Sequence, residues 1–459
     1  MASNSSAPSF TKILVAGETL LGFWNATSKV LGLINSFFII YSLSLFQYGL
    51  YQLILAFIGL VSVGLFDGIN GVVLNDIIRR ENEEKQETAK ALFRDFVKIK
   101  LALGLLLSTG VFLSANFIAS IYDKDIGTFI RIVSIIFIFD AIISSFDVFL
   151  RVKLRLRSIA IQSFIREVAK TITLGFFLSI GTVLIREVLI AHVISIFTLV
   201  IFLFIVSHRD FFYYLKSKTN SGLLGILNEY GKWAILKEYS KRFGSGLRPW
   251  FIKVFISTEA VALFSVAMSI ISFLQSYFPG NFLTSLVPRE LSDPVRLRRI
   301  FVRGLKYLNL IGLFFAVVGM LLVPIAITYF LPKYTSALPY FILLTLMLPL
   351  YGISKMTGSM LVAYREQRSI FFRTIFFVIL LLGLSPILFT TLGLYGVVLV
   401  VLIDYLTSTL YFLIRVWKIK PALRFQMSEL FIFDAYDRNF IGNVIREFFI
   451  TIKRWFFKV

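Results

Sequence analysis

The sequence predicts an all-α membrane protein of about twelve transmembrane helices, in two six-helix bundles related by a parallel internal repeat, plus a C-terminal interfacial helix. Three observations predict it. Apolar residues make up 58% of the chain and charged residues only 16%, and the apolar ones fall in blocks of roughly 20–25 residues, enough to cross a bilayer core as helix. Basic residues crowd alternate connections between those blocks, as they do in polytopic proteins. Matching residue types recur at an offset of 211 to 213 positions.

In chain order, the serine-rich stretch 1–10 leads into a first crossing at about 13–43. No small-residue cleavage site follows, so this block reads as a retained helix. The second crossing, about 50–75, lies in the most informative stretch of the chain. Phe46-Gln47-Tyr48-Gly49 reads as a turn before it, and Asn75-Asp76 with Arg79-Arg80 closes it. Gly64 and Gly68 form a small-xxx-small pair for close helix packing. Asp67 and Asn70 sit deep in this block, and a carboxylate there reads as one wall of a polar pathway. The remaining crossings fall at about 97–121, 127–150, 159–180, 185–207, 230–256, 260–287, 305–331, 338–362, 370–390 and 394–416. The domains are then a bundle at 1–208, a cytoplasmic linker at 209–229, a second bundle at 230–417 and a basic tail at 418–459. In that tail Phe440, Val444, Phe448, Ile452 and Trp455 share one helical face with basic residues around it, the pattern of a helix lying on a membrane surface.

Forty-seven Lys and Arg against 26 Asp and Glu give a net charge of +21. Nucleic acid is not needed to explain it, because the clusters mark one side of a membrane. Arg79 to Lys100, Arg151 to Arg157, Arg209 to Lys232, Arg289 to Lys306 and Arg365 to Arg373 alternate with connections holding only Lys124, Arg186 and Lys333. By the positive-inside rule the clusters and both termini are cytoplasmic, in a cytoplasmic (inner) cell membrane. Each such base attracts anionic lipid by about 1 kcal/mol. There is no cysteine and only His192 and His208, so no thiolate or histidine metal centre is expected.

The repeat lays Gly49-Leu50-Tyr51 on Ala262-Leu263-Phe264, Leu150 on Leu361, Arg157-Ser158 on Arg368-Ser369, and Gly181 on Gly393. It also aligns the leading helix of each half. In the first crossing Glu18, Gly22, Asn25, Lys29, Gly32 and Ser36 share one face; in the seventh, Lys237, Lys241, Gly244 and Arg248 do. Charges at mid-bilayer face protein or water rather than lipid, so these stripes are expected to line a central positive cleft, with Lys253 beside it. The plainer alternative stays open: Lys237 and Lys241 also sit low enough to snorkel to the interface. Arg166-Glu167 with Lys170 reads as an internal ion-pair cluster.

Leu45-Phe46-Gln47-Tyr48-Gly49-Leu50-Tyr51 resembles the "leucine, x, x, x, tyrosine, glycine, leucine, tyrosine" signature of polysaccharide-biosynthesis flippases, one spacer short. Phe66-Asp67-Gly68-Ile69-Asn70 and Thr391-Leu392-Gly393-Leu394-Tyr395-Gly396 are similar to other segments of that family, which includes O-antigen flippases and belongs to the multidrug/oligosaccharidyl-lipid/polysaccharide exporter superfamily. The resemblance implies two six-helix bundles around a cavity for the head group of a polyprenyl-pyrophosphate-linked sugar. It also implies basic residues on the first and seventh helices, matched in type by Lys29 and Arg248.

The expected function is transport of that lipid-linked oligosaccharide from inner to outer leaflet by alternating access, with no covalent step. Substrate-facing candidates are Asn25, Lys29, Lys237, Lys241, Arg248 and Lys253. No cofactor is expected beyond a coupling H+ or Na+. Asp67, beside Asn70, is the candidate coupling carboxylate; its other reading is an ion-pair partner for Lys29. Expected partners are the sugar lipid, anionic membrane lipids, and glycosyltransferases or a polymerase of the same pathway. The rivals are a multidrug cation antiporter, disfavoured by the basic leading helices, and a membrane glycosyltransferase or polymerase. For the latter there is an Asp123-Lys124-Asp125 triplet, but it sits in a predicted external turn. P-loop, HExxH and GxSxG motifs are absent.

Overall fold

The computed structural model describes residues 10–65, 67–122, 126–181, 183–217, 219, 221–226, 232–278, 293–364 and 366–430, with Asp434 and Asp437. Side chains of 10–23, Asn25, Lys237 and Lys241 are among those outside the description, as are the predicted tail helix and the Asp123-Lys124-Asp125 turn. Every regular element among the described residues is helical.

The helices are α1 (Phe10–Ser42), α2 (Leu45–Val61), α3 (Gly68–Asn82), α4 (Gln86–Tyr122), α5 (Gly127–Ser134), α6 (Ile136–Val152), α7 (Leu156–Ser179) and α8 (Ile185–Tyr214). After the short α9 (Leu223–Ile226) come α10 (Lys232–Phe255), α11 (Thr258–Gln275), α12 (Pro294–Phe330), α13 (Leu338–Leu344), α14 (Met347–Ala363), α15 (Gln367–Leu392) and α16 (Leu394–Ile419). Each predicted crossing coincides with one of these helices or with a consecutive pair, except that 279–287 of the eighth lies outside the described residues. Among the described residues eight spans qualify by length and composition to cross a membrane, or nine with Pro332–Leu344 and Met347–Ala363 as one bent span. The others are α1, α7 and α10, and the last two carry charge along their length.

The internal repeat shows in where the helices break. The fourth crossing of each half is interrupted, between Ser134 and Ile136 in the first half and between Leu344 and Met347 in the second. The third crossings, α4 and α12, are both 37 residues long. Gly181 and Gly393, paired by the sequence offset, both take left-handed backbone (φ +100° and +55°) just before the last helix of their half.

Two compact units divide the chain: Met1–Ile270 with Leu322–Leu343 and Phe371–Val401, and Ile271–Leu321 with Leu344–Ile370 and Leu402–Val459. In the first unit, residues 46–49 are not the turn the sequence suggests but the opening of α2. Ser44 accepts from the Gln47 backbone N–H, and the Gln47 side chain accepts from the Ser44 N–H, a reciprocal capping box. Tyr48 then packs edge-on against Tyr334, ring centroids 6.0 Å apart. At Gly49 a Cβ would lie 2.0 Å from the Thr258 carbonyl oxygen, so only glycine lets α2 and α11 meet there. Further along, Gly246 of α10 leaves room for Leu60 of α2. At the end of α1 the carbonyls of Tyr41 and of Leu43, just past the helix, accept from Lys333 at 2.6 and 2.5 Å.

The basic clusters are partly structural. Arg80 donates to Thr88 and Ser221 carbonyls, and Arg94 to those of Ser217 and Thr219, fastening the 215–223 segment to the start of α4. Beneath it Phe93, Phe146, Phe149 and Phe211 form an aromatic core, with Phe146 and Phe211 stacked at 4.1 Å.

In the second unit α12 and α14 touch through backbone. A Cβ on Gly312 would strike Leu348 oxygen at 2.7 Å, and one on Gly352 would strike Leu308 oxygen at 2.6 Å. Lys306 and Tyr307 donate to Asp437 at 2.5 and 2.6 Å. Burial raises the Asp437 carboxyl, but these hydrogen bonds outweigh it and hold its pKa down to about 2.

The α2–α11 crossing generates a test of opposite signs within one helix. Gly49→Ala should lower the melting temperature of the detergent-solubilised protein, by an overpacking cost of about 1–3 kcal/mol. Gly59→Ala, where a Cβ meets nothing within 4 Å, should raise it slightly through helix propensity, by up to about 1 kcal/mol.

Candidate functional site

The second crossing, expected as one continuous helix over 50–75, is broken. α2 ends at Val61, a 3-10 turn covers Ser62–Leu65, and α3 starts at Gly68. A break in a membrane-spanning segment strands backbone carbonyls where no water can reach them, at several kcal/mol each. Lys100 of α4, only 2% exposed, supplies the missing donor: its Nζ reaches the Leu65 oxygen at 2.6 Å. Among the described residues no proline causes the break; Gly64, in contact range of Leu107 on α4, and Gly68 flank it.

Asp67 occupies the N-cap position of α3 but makes no side-chain capping bond. Its two oxygens go elsewhere. Oδ1 accepts from Lys100 Nζ at 2.9 Å, and Oδ2 accepts from Arg242 Nη2 of α10 at 2.8 Å. Arg242 also donates from Nε to Glu238, one turn earlier on the same helix, at 3.0 Å. Asp140 of α6 and Arg166 of α7 lie within electrostatic reach. The partners of Asp67 are therefore Lys100 and Arg242, not the Lys29 that sequence reasoning offered. The group balances its charges and, through Arg242, joins a residue of the first half of the chain to one of the second. Asn70, one turn into α3, donates to Ser144 Oγ at 2.9 Å and keeps its Oδ1 buried without a partner.

A second polar group joins α1 to α7. Asn35, 1% exposed, donates Nδ2 to the Glu167 carboxylate at 2.9 Å, and Thr171 donates to Asn35 Oδ1 at the same distance. Gly32 faces the Glu167 carboxyl, which a Cβ added there would meet at 3.7 Å. Arg166 lies 3.6 Å from Glu167, the ion pair expected within that cluster.

The remaining sequence candidates spread along the two leading helices. Lys29 is half-buried on α1, and Asn25 lies one turn earlier with its side chain outside the described residues. On α10 the same holds for the side chains of Lys237 and Lys241. Arg248 sits with its guanidinium 5.4 Å from the Phe377 ring centre, and Lys253 is half-buried near the end of α10. Gly244 meets Phe377 and Val378 of α15, so the Gly244–Arg248 face of α10 packs on α15. The adjacent Glu238–Arg242–Gly246 face meets α2 and α3. Sequence reasoning missed Arg242 and Lys100. For Arg242 the signal was available as an i,i+4 acid–base pair with Glu238. Among the described residues no three His, Asp or Glu side chains converge to hold a metal.

Residues 14–290 match the polysaccharide biosynthesis protein family, well over half of the chain. The chain belongs to that family. No curated protein sequence matches this family member. Its fold is similar to an inward-facing multidrug resistance MATE family transporter of the MOP superfamily, with TM-score 0.71 and 16% identity over 84% of this chain and 96% of that one. It is equally similar to the lipid II flippase MurJ in an inward closed conformation, at TM-score 0.71 and 15% identity, covering 90% of this chain and 89% of that one. A MOP superfamily transporter from Pyrococcus furiosus, whose reverse polarity of binding pocket suggests a different function, matches at TM-score 0.58 and 15% identity over 89% and 94%. The polysaccharide biosynthesis protein is thus a multi-pass helical membrane protein with the fold of MOP transporters and flippases.

Removing Lys100 as Lys100→Met should cost about 3 kcal/mol of stability in detergent melts, since it leaves a buried carbonyl unmet and half of an ion pair unbalanced. Arg79→Gln, which breaks a pair whose arginine is 65% exposed, should cost under about 1 kcal/mol. Equal losses for the two would remove Lys100 from its assigned role.

Proposed function

We propose that this polysaccharide biosynthesis protein moves a polyprenyl-pyrophosphate-linked oligosaccharide from the inner to the outer leaflet of the cytoplasmic membrane, by alternating access and with both termini in the cytoplasm. The observation that carries the reading is the sign of charge on α10. That helix bears Lys232, Lys237, Lys241, Arg242, Arg248 and Lys253 against the single acid Glu238. A diphosphate offers several anionic oxygens to such a surface, and arginine binds two of them at once in a forked geometry. An organic cation would meet repulsion there instead.

In the mechanism we infer, Lys29 and Arg248 engage the diphosphate and carry no covalent chemistry. The Asp67–Arg242 bridge is the tie that reopening must break, because it links the two halves of the sequence. Both Asp67 oxygens are engaged, so binding a proton or Na+ at this carboxylate weakens two ion pairs together. In this reading that couples ion entry to release of the tie, with Asp67 proposed as the coupling group. Glycosyltransferases or a polymerase of the same pathway would supply and consume the cargo.

The test is flipping of a fluorescent pyrophosphate-linked sugar lipid in liposomes holding this protein alone, read by quencher access. Wild type should flip it; Arg248→Glu should flip at least tenfold more slowly at unchanged melting temperature, with Arg248→Lys between them. Asp67→Asn should slow flipping and lose its response to an imposed ion gradient. Export of organic cations with the sugar lipid left in place would refute the substrate assignment.

A further inference from the structure

The first three and a half turns of α12 and the segment after α16 border an open cavity of about 570 Å³. Arg298, Arg299, Arg303 and Lys306 line it from α12, with Glu429 and Asp434 opposite. Three of the four cations are matched to carboxylates. Arg298 holds Glu429 through Nη2 at 2.9 and 3.0 Å, Arg303 holds Asp434 at 3.1 Å, and Lys306 holds Asp437 just behind the wall. Arg299 is exposed and has no hydrogen bond or ion pair among the described residues. It is the surplus charge of the cavity.

The helix amides are not what would hold an anion here. Asp293 already accepts from the Val295 and Arg296 N–H groups, and Pro294 has none to give. The attraction comes from guanidinium groups, which suit phosphate oxygens in pairs. Val295 and Val302 add an apolar wall. The cavity also ends where α12 changes character. One turn past Lys306, the exposed side chains become Leu310, Leu313, Phe314 and Val317, an acyl-chain face. A cavity that is basic at one end, apolar at its side and placed at that transition sits at head-group level.

We propose that this cavity binds the phosphate of an anionic phospholipid, with Arg299 as its free contact and Arg298 and Arg303 as a paired frame. A regulatory lipid held there would brace α12 against the segment after α16. This does not rest on the transport reading and is independent of the cargo.

The experiment uses the full-length protein in detergent, titrated with phosphatidylglycerol, with phosphatidylcholine, and with inorganic phosphate at matched concentration. Melting temperature and the number of retained lipids by native mass spectrometry are read together. Phosphatidylglycerol should raise the melting temperature well above the phosphatidylcholine control, and inorganic phosphate should not. Arg299→Glu should melt normally without lipid, weaken the phosphatidylglycerol effect at least five-fold and retain one lipid fewer. Arg79→Glu, on another basic cluster, should weaken the phosphatidylglycerol effect less than Arg299→Glu does and leave the number of retained lipids unchanged. An unchanged lipid response in Arg299→Glu, or equal stabilisation by phosphatidylcholine, overturns the site; equal stabilisation by inorganic phosphate overturns its assignment to lipid.

Discussion

A carbonyl with no helical partner inside a bilayer is the constraint around which the first unit is arranged. The break after Leu65 exposes such a group, and the bilayer supplies no water to satisfy it. Lys100 answers it, but a buried ammonium needs an anion in turn. Asp67 is that anion, available because it does not cap α3. Its second oxygen then selects Arg242, so a defect in one helix fixes the position of another, 175 residues away in sequence. Desolvation makes such a chain of charges costly to break at a single link. A protein that must change shape can use the same sensitivity, since altering one charge loosens the rest.

Much of the fold was legible because bilayer thickness dictates block length, and twelve apolar blocks could be counted. The repeat was legible as a constant offset, and the structure gives one of its pairs, Gly181 and Gly393, a physical reason: both take left-handed backbone. The breaks in the second and fourth crossings were not legible. No proline marks Ser62–Leu65, and an apolar run looks the same whether or not its hydrogen bonds continue through it. Phe46-Gln47-Tyr48-Gly49 misled for a related reason. Its small and polar residues suit a turn, yet Ser44 just upstream converts them into a capped first turn of helix.

At the site, the sequence singles out Asp67 but offers Lys29 as its partner, where the structure has Lys100 and Arg242. Asp67 stood out as a carboxylate in an apolar run, but nothing in one dimension says which of 47 bases meets it. The stripe on α1 was read through Lys29 and Ser36. Gly32 of that stripe faces α7, where the buried contact is made by Asn35, one residue short of Ser36, which is exposed. On α10 the stripe through Gly244 and Arg248 packs on α15, and Arg242, one residue beyond Lys241, makes the decisive contact. Helical periodicity finds a polar face to within about one residue; which neighbour it meets is a tertiary fact.

The tie between the two halves of the sequence exists only if Asp67 and Arg242 act as a pair. A double-mutant cycle on melting stability, with Asp67→Asn, Arg242→Gln and both together, measures that directly. The account predicts a double variant little worse than the poorer single one, a coupling of at least about 1 kcal/mol. Strictly additive losses would mean that the two side chains do not depend on each other, and the tie between the halves would be gone.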